Sequence, residues 1–197
     1  MMKEISKYFY TIIFFALFVS PINAKDFLQI GEAKAKVTIK VFSSLTCPHC
    51  ANFHLKIFEN LKNDYIDKKL VKFEHHSFPL DLAALNAELI VRCHNDSNKS
   101  FQLLGEIYKK QNNWAVGSDI NVINEYIKNI GLKSGLNNNI MEDCLKNEKL
   151  QQQILEERIN AQKNYQIKST PTIYINEKKY EGNHEYKQLK KAIEKIL

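Results

Sequence analysis

Residues 37–54, VTIKVFSSLTCPHCANFH, combine a strand pattern with a cysteine pair that stands directly after it. Val37, Ile39 and Val41 alternate with polar side chains, and an alternation of period two is typical of a β-strand with one buried face. The stretch therefore predicts a strand that ends shortly before two cysteines separated by two residues.

A helix is predicted to begin at the cysteine pair. Pro48 fits the first turn of a helix, where its missing N–H would have no partner, and Phe53, Ile57 and Leu61 recur at a spacing of four. The run KKLVKFEHHSFPL then reads as a second strand, which Pro79 stops. The order strand, helix, strand predicts a βαβ unit with a parallel strand pair.

The rest of the chain is predicted to be helical first and then to return to strand. Apolar residues recur at helical spacing from about residue 81 to residue 166, and one of these helices, NVINEYIKNI, is expected to end at Gly131 as its C-cap. The run STPTIYINEKKYEG predicts a hairpin that turns at Asn176 and Glu177, and a last helix follows. The predicted order is βαβ, a helical block, then ββα.

Residues 1–24 have the layout of a secretory signal peptide. Lys3 and Lys7 precede the apolar run Phe9 to Val19, and Ala24 offers a small residue for cleavage. The run is shorter than the ~20 residues that a membrane-spanning helix needs. We expect export and removal of this segment; an uncleaved anchor and a buried first helix are the alternatives.

The charge of the chain excludes one class of function and leaves others open. The formal net charge is +6, but the basic residues are scattered instead of clustered among aromatic side chains, so we expect a solvated surface and no nucleic-acid site. Four cysteines are an even number, and in an exported chain they permit disulfides.

The position of the cysteine pair predicts redox chemistry. At the N-terminal end of a helix, the helix dipole and the free N–H groups favour a Cys47 thiolate, and His49 can add a hydrogen bond or a positive charge. Cys50, one turn further on, can close a small ring with Cys47. Because a stabilised thiolate stabilises the reduced form, the disulfide becomes a strong oxidant. A client thiolate would attack Cys47, and Cys50 would leave.

Three other roles are conceivable for the pair. Attachment of a c-type haem needs a histidine after the second cysteine, where this chain has Ala51. A structural disulfide over so short a loop would add little stability. Zinc would need two more ligands. The zinc alternative would have to draw them from Cys93, Cys144, His54, His75 and His76. Redox catalysis accounts best for the pair.

Thr170 and Pro171 form the second candidate element of the site. They stand just before a predicted strand, and taken alone Pro171 would simply start an edge strand. Together with a C-x-x-C motif at a strand-to-helix junction, they predict a cis-proline beside the sulfurs. Such a loop would expose backbone groups to an extended client peptide.

Five stretches together resemble the DsbA family of exported thiol–disulfide oxidoreductases, in the branch common in alphaproteobacteria: VTIKVFSSLTCPHCANFH, FPLDLAALNAELIVRC, QNNW, MEDCLKN and STPTIYINEKKYEG. The resemblance implies an α/β class, a thioredoxin fold with an inserted all-helical domain. It places the thioredoxin-like domain at residues 25–80 and 166–197, and the helical insertion with its linking helix at residues 81–165.

The resemblance also implies roles and partners. Cys47 would be the nucleophile of the CPHC motif, Cys50 the resolving partner, and Thr170 and Pro171 the cis-proline loop. Clients would be exported proteins with free thiols in a periplasm, and a membrane partner of the DsbB type would restore the disulfide. Neither the residues nor the resemblance points to a cofactor or a metal, and we expect a monomer.

The other two cysteines match the same branch, in which they form a second disulfide within the helical domain. The resemblance thus implies a bond between Cys93 and Cys144. From the residues alone, four cysteines allow three pairings, and two buried free thiols are an alternative.

The chain departs from the family at one position. Family members usually carry a buried carboxylate on the strand six residues before the first cysteine, where this chain has Val41. Glu74, on the neighbouring predicted strand, could substitute, but we expect it to face the surface. The departure bears on proton transfer to the buried sulfur and on oxidising strength. An isomerase or reductase is therefore the nearest alternative, and a non-catalytic module that binds zinc or peptide is the alternative from another class.

Overall fold

A five-stranded mixed sheet lies at the centre of the computed structural model, which describes residues 27–197. The strands are β1 (Leu28–Gly31), β2 (Val37–Ser43), β3 (Val71–Ser77), β4 (Thr172–Ile175) and β5 (Lys178–Lys179). Their order across the sheet is β1-β3-β2-β4-β5. The expected signal peptide, residues 1–24, lies outside the described residues.

The central strand β2 is the one that the alternating pattern predicted. It pairs in parallel with β3 and antiparallel with β4, and the side chains of Val37, Ile39 and Val41 are buried. The parallel pair confirms the predicted βαβ unit. Strand β1 was not predicted, because its four residues at the sheet edge are too few to show an alternation.

The helix that follows the cysteine pair is continuous over residues 48–66 but not uniform. It begins as α1 (Pro48–Phe53), widens into a π-helical turn (His54–Phe58), tightens in α2 (Glu59–Leu61) and widens again (Lys62–Ile66). Wide turns of this kind occur often at functional sites. A spacing of four between apolar residues predicts a helix here, but it does not distinguish the two kinds of turn.

The helical block that the sequence predicted between β3 and β4 contains six helices. They are α3 (Leu82–Val91), α4 (Ser97–Lys109), α5 (Gln111–Trp114), α6 (Ile120–Lys133), α7 (Asn138–Leu145) and α8 (Glu148–Tyr165). Five of them start at an Asp or Asn whose side chain accepts a backbone N–H of the first turn: Asp81, Asp96, Asp119, Asn137 and Asn147. Helix α9 (Tyr186–Glu194) closes the fold.

The prediction that a helix ends at Gly131 is wrong. Helix α6 continues to Lys133, and it is Gly135, in the loop, that has a positive φ of 89°. A Cβ at Gly131 would lie 2.4 Å from the sulfur of Met141 in α7. The glycine therefore serves the close approach of two helices and not a helix end.

The core is continuous between the sheet and the helices, since one cluster of buried side chains includes Val41 of β2, Cys50 of α1, Ile107 of α4 and Met141 of α7. Trp114, which is fully buried, donates its indole N–H to the carbonyl of Ile107. Within residues 27–197, no helix is both long and apolar enough to cross a membrane.

Candidate active site

The cysteine pair lies at the junction between the end of β2 and the start of α1. Cys47 is the N-cap residue with Pro48 in the first turn, and its backbone N–H donates to the carbonyl of Ser44 at 3.1 Å. Both cysteines are unbridged thiols; Cys47 keeps 7% of its surface exposed and Cys50 only 1%. One sulfur is thus within reach of a client, and the other lies beneath it.

The surroundings shift the pKa values of the two thiols in opposite directions. Hydrogen bonding from the Cys50 thiol lowers the pKa of Cys47 to about 5, helped by the Thr170 side chain and by the backbone N–H groups of Cys50 and His49, although burial opposes the shift. Burial, and next the hydrogen bond to Cys47, raise the pKa of Cys50. At neutral pH Cys47 is therefore a thiolate and Cys50 a thiol.

His49 contributes to this arrangement through its backbone. Its N–H is among the groups that lower the Cys47 pKa, while its side chain is exposed. The ring lies in a pocket of about 380 Å³ that also contains Asn52 and His184. Burial, and then the nearby His49, lower the pKa of His184. No local pattern in the sequence indicates that a residue so far along the chain reaches this site.

The second candidate element lies against the first. The peptide bond between Thr170 and Pro171 is cis, and the Thr170 carbonyl oxygen is 3.4 Å from the Cys47 sulfur. Pro171 is buried at the start of β4. The structure thus brings the CPHC motif and the STPT loop together, although 123 residues separate Cys47 from Thr170.

A groove borders Cys47 on the side of the helical block. Its volume is about 550 Å³, and both Leu80 and Leu82 expose about half of their surface there. The apolar residues that line it are Leu80, Leu82, Ala83, Ala115, Ile120 and Ile123. We call it the Cys47 groove; its shape and composition suit apolar side chains of an extended peptide.

Gln111 supports the cysteine loop and was missed as a site residue, although it belongs to the QNNW stretch. Its side-chain amide is buried and donates to the carbonyl of Leu45 at 2.7 Å and to that of Cys47 at 3.1 Å. Helix α5 thereby holds the loop from which Cys47 projects. A buried amide reads as an ordinary polar residue in the sequence, so only the fold reveals this role.

We expect that Gln111→Leu lowers the free energy of unfolding by about 1–3 kcal/mol, because two buried carbonyl oxygens lose their donor. Urea unfolding of the purified protein measures the change. Asn112→Leu, an exposed position in the same short helix, is the matched control and should stay within about 0.5 kcal/mol of the parent. Equal stability of Gln111→Leu and the parent would contradict the supporting role.

The lowered pKa of Cys47 predicts an unusual pH profile for its reactivity. Because the thiolate is the nucleophile, alkylation of reduced protein by iodoacetamide should reach half of its maximum rate near pH 5, where an ordinary thiol reacts very slowly. Rates measured from pH 3 to pH 9, with peptide mass spectrometry to assign the labelled cysteine, test this. A midpoint near pH 8.5 would show that the fold leaves Cys47 an ordinary thiol.

The other two cysteines lie outside this site. Cys93, just after α3, is joined by a disulfide to Cys144 in α7. The bond ties together two helices of the helical block that are 51 residues apart in sequence. The structure therefore contains the Cys93–Cys144 pairing, which was one of the alternatives that the residues alone left open.

The expectation that Glu74 faces the surface is wrong. Its side chain is buried, with Lys72 at 2.6 Å and His76 at 3.0 Å from its carboxylate oxygens. Both partners lie on the same strand face as Glu74, and their charge and hydrogen bonds allow the carboxylate to be buried. His75, between them, faces the opposite side of the sheet.

The residues that could have supplied zinc ligands do not form one site. In the part of the chain from residue 27 to residue 197, no group of three or more His, Cys, Asp or Glu side chains is arranged to hold a metal ion. All three histidines are buried: His75 pairs with Glu88, His76 pairs with Glu74, and the ring of His54 stacks on that of Phe58.

Comparisons with known proteins agree with this geometry. A family model described as thioredoxin matches residues 23–195. A Rickettsia conorii protein named "Putative protein-disulfide oxidoreductase" is 30% identical over 86% of this chain, and Disulfide bond formation protein D of Bacillus subtilis is 28% identical over 85% of it. The matches cover 60% and 76% of those relatives, so the chain spans about 60% of the length of the Rickettsia proteins.

Solved structures share the architecture. Wolbachia pipientis alpha-DsbA1 superposes with a TM-score of 0.80 at 24% identity, over 87% of this chain and 91% of that one. Oxidised BdbD of Bacillus subtilis gives 0.76 at 23% identity, over 87% and 93%. The resemblance inferred from the motifs, and the fold that it implied, are confirmed. This chain belongs to the thioredoxin family, and within it has the DsbA-like arrangement in which a helical block is inserted between β3 and β4.

Proposed function

We propose that the protein is a thiol–disulfide oxidoreductase that introduces disulfide bonds into exported proteins. The observation that carries the proposal is the difference between the two thiols of the CPHC motif. Cys47, which is 7% exposed, has a pKa of about 5 and accepts a hydrogen bond from Cys50, a thiol that is 1% exposed and has a raised pKa. A thiolate as stable as that of Cys47 is a good leaving group, which favours transfer of a disulfide to a client.

The reaction proceeds in two exchanges. A client thiolate attacks the Cys47 sulfur of the oxidised protein, the Cys47–Cys50 bond breaks, and Cys50 leaves and takes up a proton. A second client thiolate then attacks the client sulfur of this mixed disulfide, and Cys47 leaves as a thiolate. The client gains one disulfide, and the protein retains a Cys47 thiolate and a Cys50 thiol.

The surfaces on both sides of Cys47 suit an unfolded client. The Cys47 groove accepts apolar side chains, the Thr170 backbone lies beside the sulfur, and the pocket of His49 and His184 continues on the far side. An extended segment can therefore cross all three with its own cysteine above Cys47. The relatives named for disulfide bond formation support this choice of client.

The cellular setting is part of the proposal. The signal-peptide pattern of residues 1–24 and the DsbA-like fold support action in a periplasm as a monomer, with reoxidation by a membrane partner of the DsbB type. The domain limits inferred above, residues 25–80 with 166–197 and residues 81–165, stay a prediction.

A redox titration in glutathione buffers tests the direction of the reaction. Thiols are trapped by alkylation and assigned to individual cysteines by peptide mass spectrometry. If Cys47 and Cys50 stay reduced until the buffer is strongly oxidising, the protein is an oxidase. If the pair oxidises at a low, thioredoxin-like potential, the protein is a reductase or an isomerase. If the pair does not exchange at all, the non-catalytic binding module becomes the better description.

A further inference from the structure

A single carboxylate lies in the otherwise apolar Cys47 groove. Among the described residues that line the groove, Asp81 is the only Asp, Glu, Lys, Arg or His. Its side chain is exposed, and the leucines on either side of it, Leu80 and Leu82, expose about half of their surface. A client segment that enters the groove therefore meets one fixed negative charge between apolar contacts.

Two hydrogen bonds hold the Asp81 carboxylate beside the cysteine turn. Oδ1 accepts the backbone N–H of Ala84 at 2.7 Å and so caps helix α3, while Oδ2 accepts the hydroxyl of Thr46 at 2.8 Å. Thr46 directly precedes Cys47 in the chain and lines the same groove. Because the carboxylate is already held in place, an ion pair with a client costs less conformational entropy than one between two mobile side chains.

The charge of Asp81 is not used within the described part of the chain. No Lys, Arg or His among residues 27–197 forms a salt bridge with it, whereas the carboxylates of Asp67 and Glu106 have a lysine at 2.8 Å and 2.9 Å. The cap does not require the charge either, because Asn caps a helix as well as Asp does. The negative charge is therefore available to a client.

The opposite side of Cys47 has a different composition. The pocket of His49 and His184 has no Asp or Glu among its described lining residues, and its two imidazoles become cationic when they are protonated. A client segment that crosses Cys47 thus meets a carboxylate on one side and imidazoles on the other. The site can distinguish the two directions in which a charged segment could lie.

We propose that Asp81 determines client specificity: it favours segments that carry a Lys or Arg two residues from the reacting cysteine, on the side that lies in the Cys47 groove. This inference deepens the proposed function and rests on it. In an extended segment, side chains two residues apart point to the same face about 7 Å apart, so this residue faces the groove while the cysteine faces Cys47. The apolar stem of a Lys or Arg can pack on Leu82 while its charge reaches Asp81.

The preferred sign is opposite to the one that the whole chain predicts. The formal net charge is +6, and long-range steering by a positive protein favours acidic clients. A preference for basic clients therefore has to come from a local carboxylate. The sign of the preference separates the effect of Asp81 from that of the net charge.

Two series of dithiol peptides test the proposal. The residue two positions before both cysteines in one series, and two positions after both in the other, is Lys, Gln or Glu. Oxidised protein is mixed with each peptide and quenched in acid, and mass spectrometry of the peptide disulfide gives kcat/KM. In one series we expect Lys to raise kcat/KM about two- to fivefold over Gln and Glu to lower it by a similar factor, as for an exposed ion pair. The other series should show no preference for Lys.

The matched variants change one charge each. Asp81→Asn keeps an oxygen for the cap and should abolish the preference for Lys over Glu. Asp96→Asn is the control, because Asp96 caps α4 in the same way, with Oδ1 at 2.9 Å from the Lys99 N–H, at the end of α4 remote from the cysteine loop. It should retain the preference. Leu82→Lys places a positive charge in the groove and should reverse the order in favour of Glu.

The outcomes that contradict the proposal are specific. Peptides with Glu that react as fast as those with Lys in both series of the parent protein would overturn it. So would a preference for Lys that survives in Asp81→Asn or in Leu82→Lys, or one that Asp81→Asn and Asp96→Asn weaken equally. If the parent protein oxidises none of the peptides, the proposed function itself fails, so the two failures are distinguishable.

Discussion

Replacement of Cys47 by serine is expected to abolish the oxidation of a dithiol peptide. The attacked sulfur is lost, and the remaining Cys50 sulfur is 1% exposed with a raised pKa, so it can neither be reached by a client thiolate nor act as a nucleophile itself. The assay follows loss of peptide thiols with protein that was oxidised beforehand. Turnover at the parent rate in Cys47→Ser would overturn the proposed mechanism.

Cys50→Ser is the matched variant, and we expect it to react with clients but not to release them. The Cys47 thiolate is retained, so the variant can still form a mixed disulfide with a client, but no internal thiol displaces the client again. Clients should therefore stay attached to Cys47 and be recovered on non-reducing gels. Recovery of equal amounts with Cys47→Ser would mean that the attachment does not occur through Cys47.

Loss of the second disulfide is expected to have the largest effect on stability. The bond between Cys93 and Cys144 closes a segment 51 residues long, and in the chain-entropy model a loop of this length stabilises the folded state by about 4 kcal/mol. Urea unfolding of a Cys93→Ala, Cys144→Ala double variant should show a loss of this order. Cys47 and Cys50 should be kept in the same redox state in the variant and the parent.

A small loss of stability in the double variant would contradict this prediction. A loss of stability below about 1 kcal/mol would indicate that the unfolded chain is already restricted without the bond, or that the folded state gains stability when the bond is removed. Cys47→Ala with Cys50→Ala is the control, because a bond over two intervening residues constrains the unfolded chain far less. Its unfolding midpoint should lie close to that of the parent.

The sequence predicted the parts of the fold that rest on local patterns. The alternation in β2, the proline after Cys47 and the helical spacing of the inserted block each follow from geometry within a few residues. The CPHC motif and the STPT loop were identified for the same reason. The structure then brought them to within 3.4 Å between Cys47 and Thr170.

The errors concern features that depend on which distant residue lies opposite. Gly131 looked like a helix end, but its missing side chain makes room for Met141. Glu74 looked exposed, because the sequence does not show that Lys72 and His76 share its face with enough shielding to bury it. Strand register and helix packing decide both cases, and neither is visible in a local pattern.

The site residues that were missed have the same origin. Gln111 hydrogen-bonds the cysteine loop across 64 residues of sequence, and His184 approaches His49 from beyond the last strand. Each is an ordinary polar residue in the sequence and becomes informative only once its partner is known.

The strand order sets the sequence of events in folding. The antiparallel β2–β4 pairing has to bring together two strands from opposite ends of the fold: Thr38 and Asn176, which bond at its edge, are 138 residues apart. Contacts of such long range form slowly and late. Until β4 docks, Thr170 is not beside Cys47, and the contribution of Thr170 to the lowered Cys47 pKa is missing. The full shift of the Cys47 pKa is therefore reached only when the two ends of the fold, the cysteine turn and the strand β4, have come together.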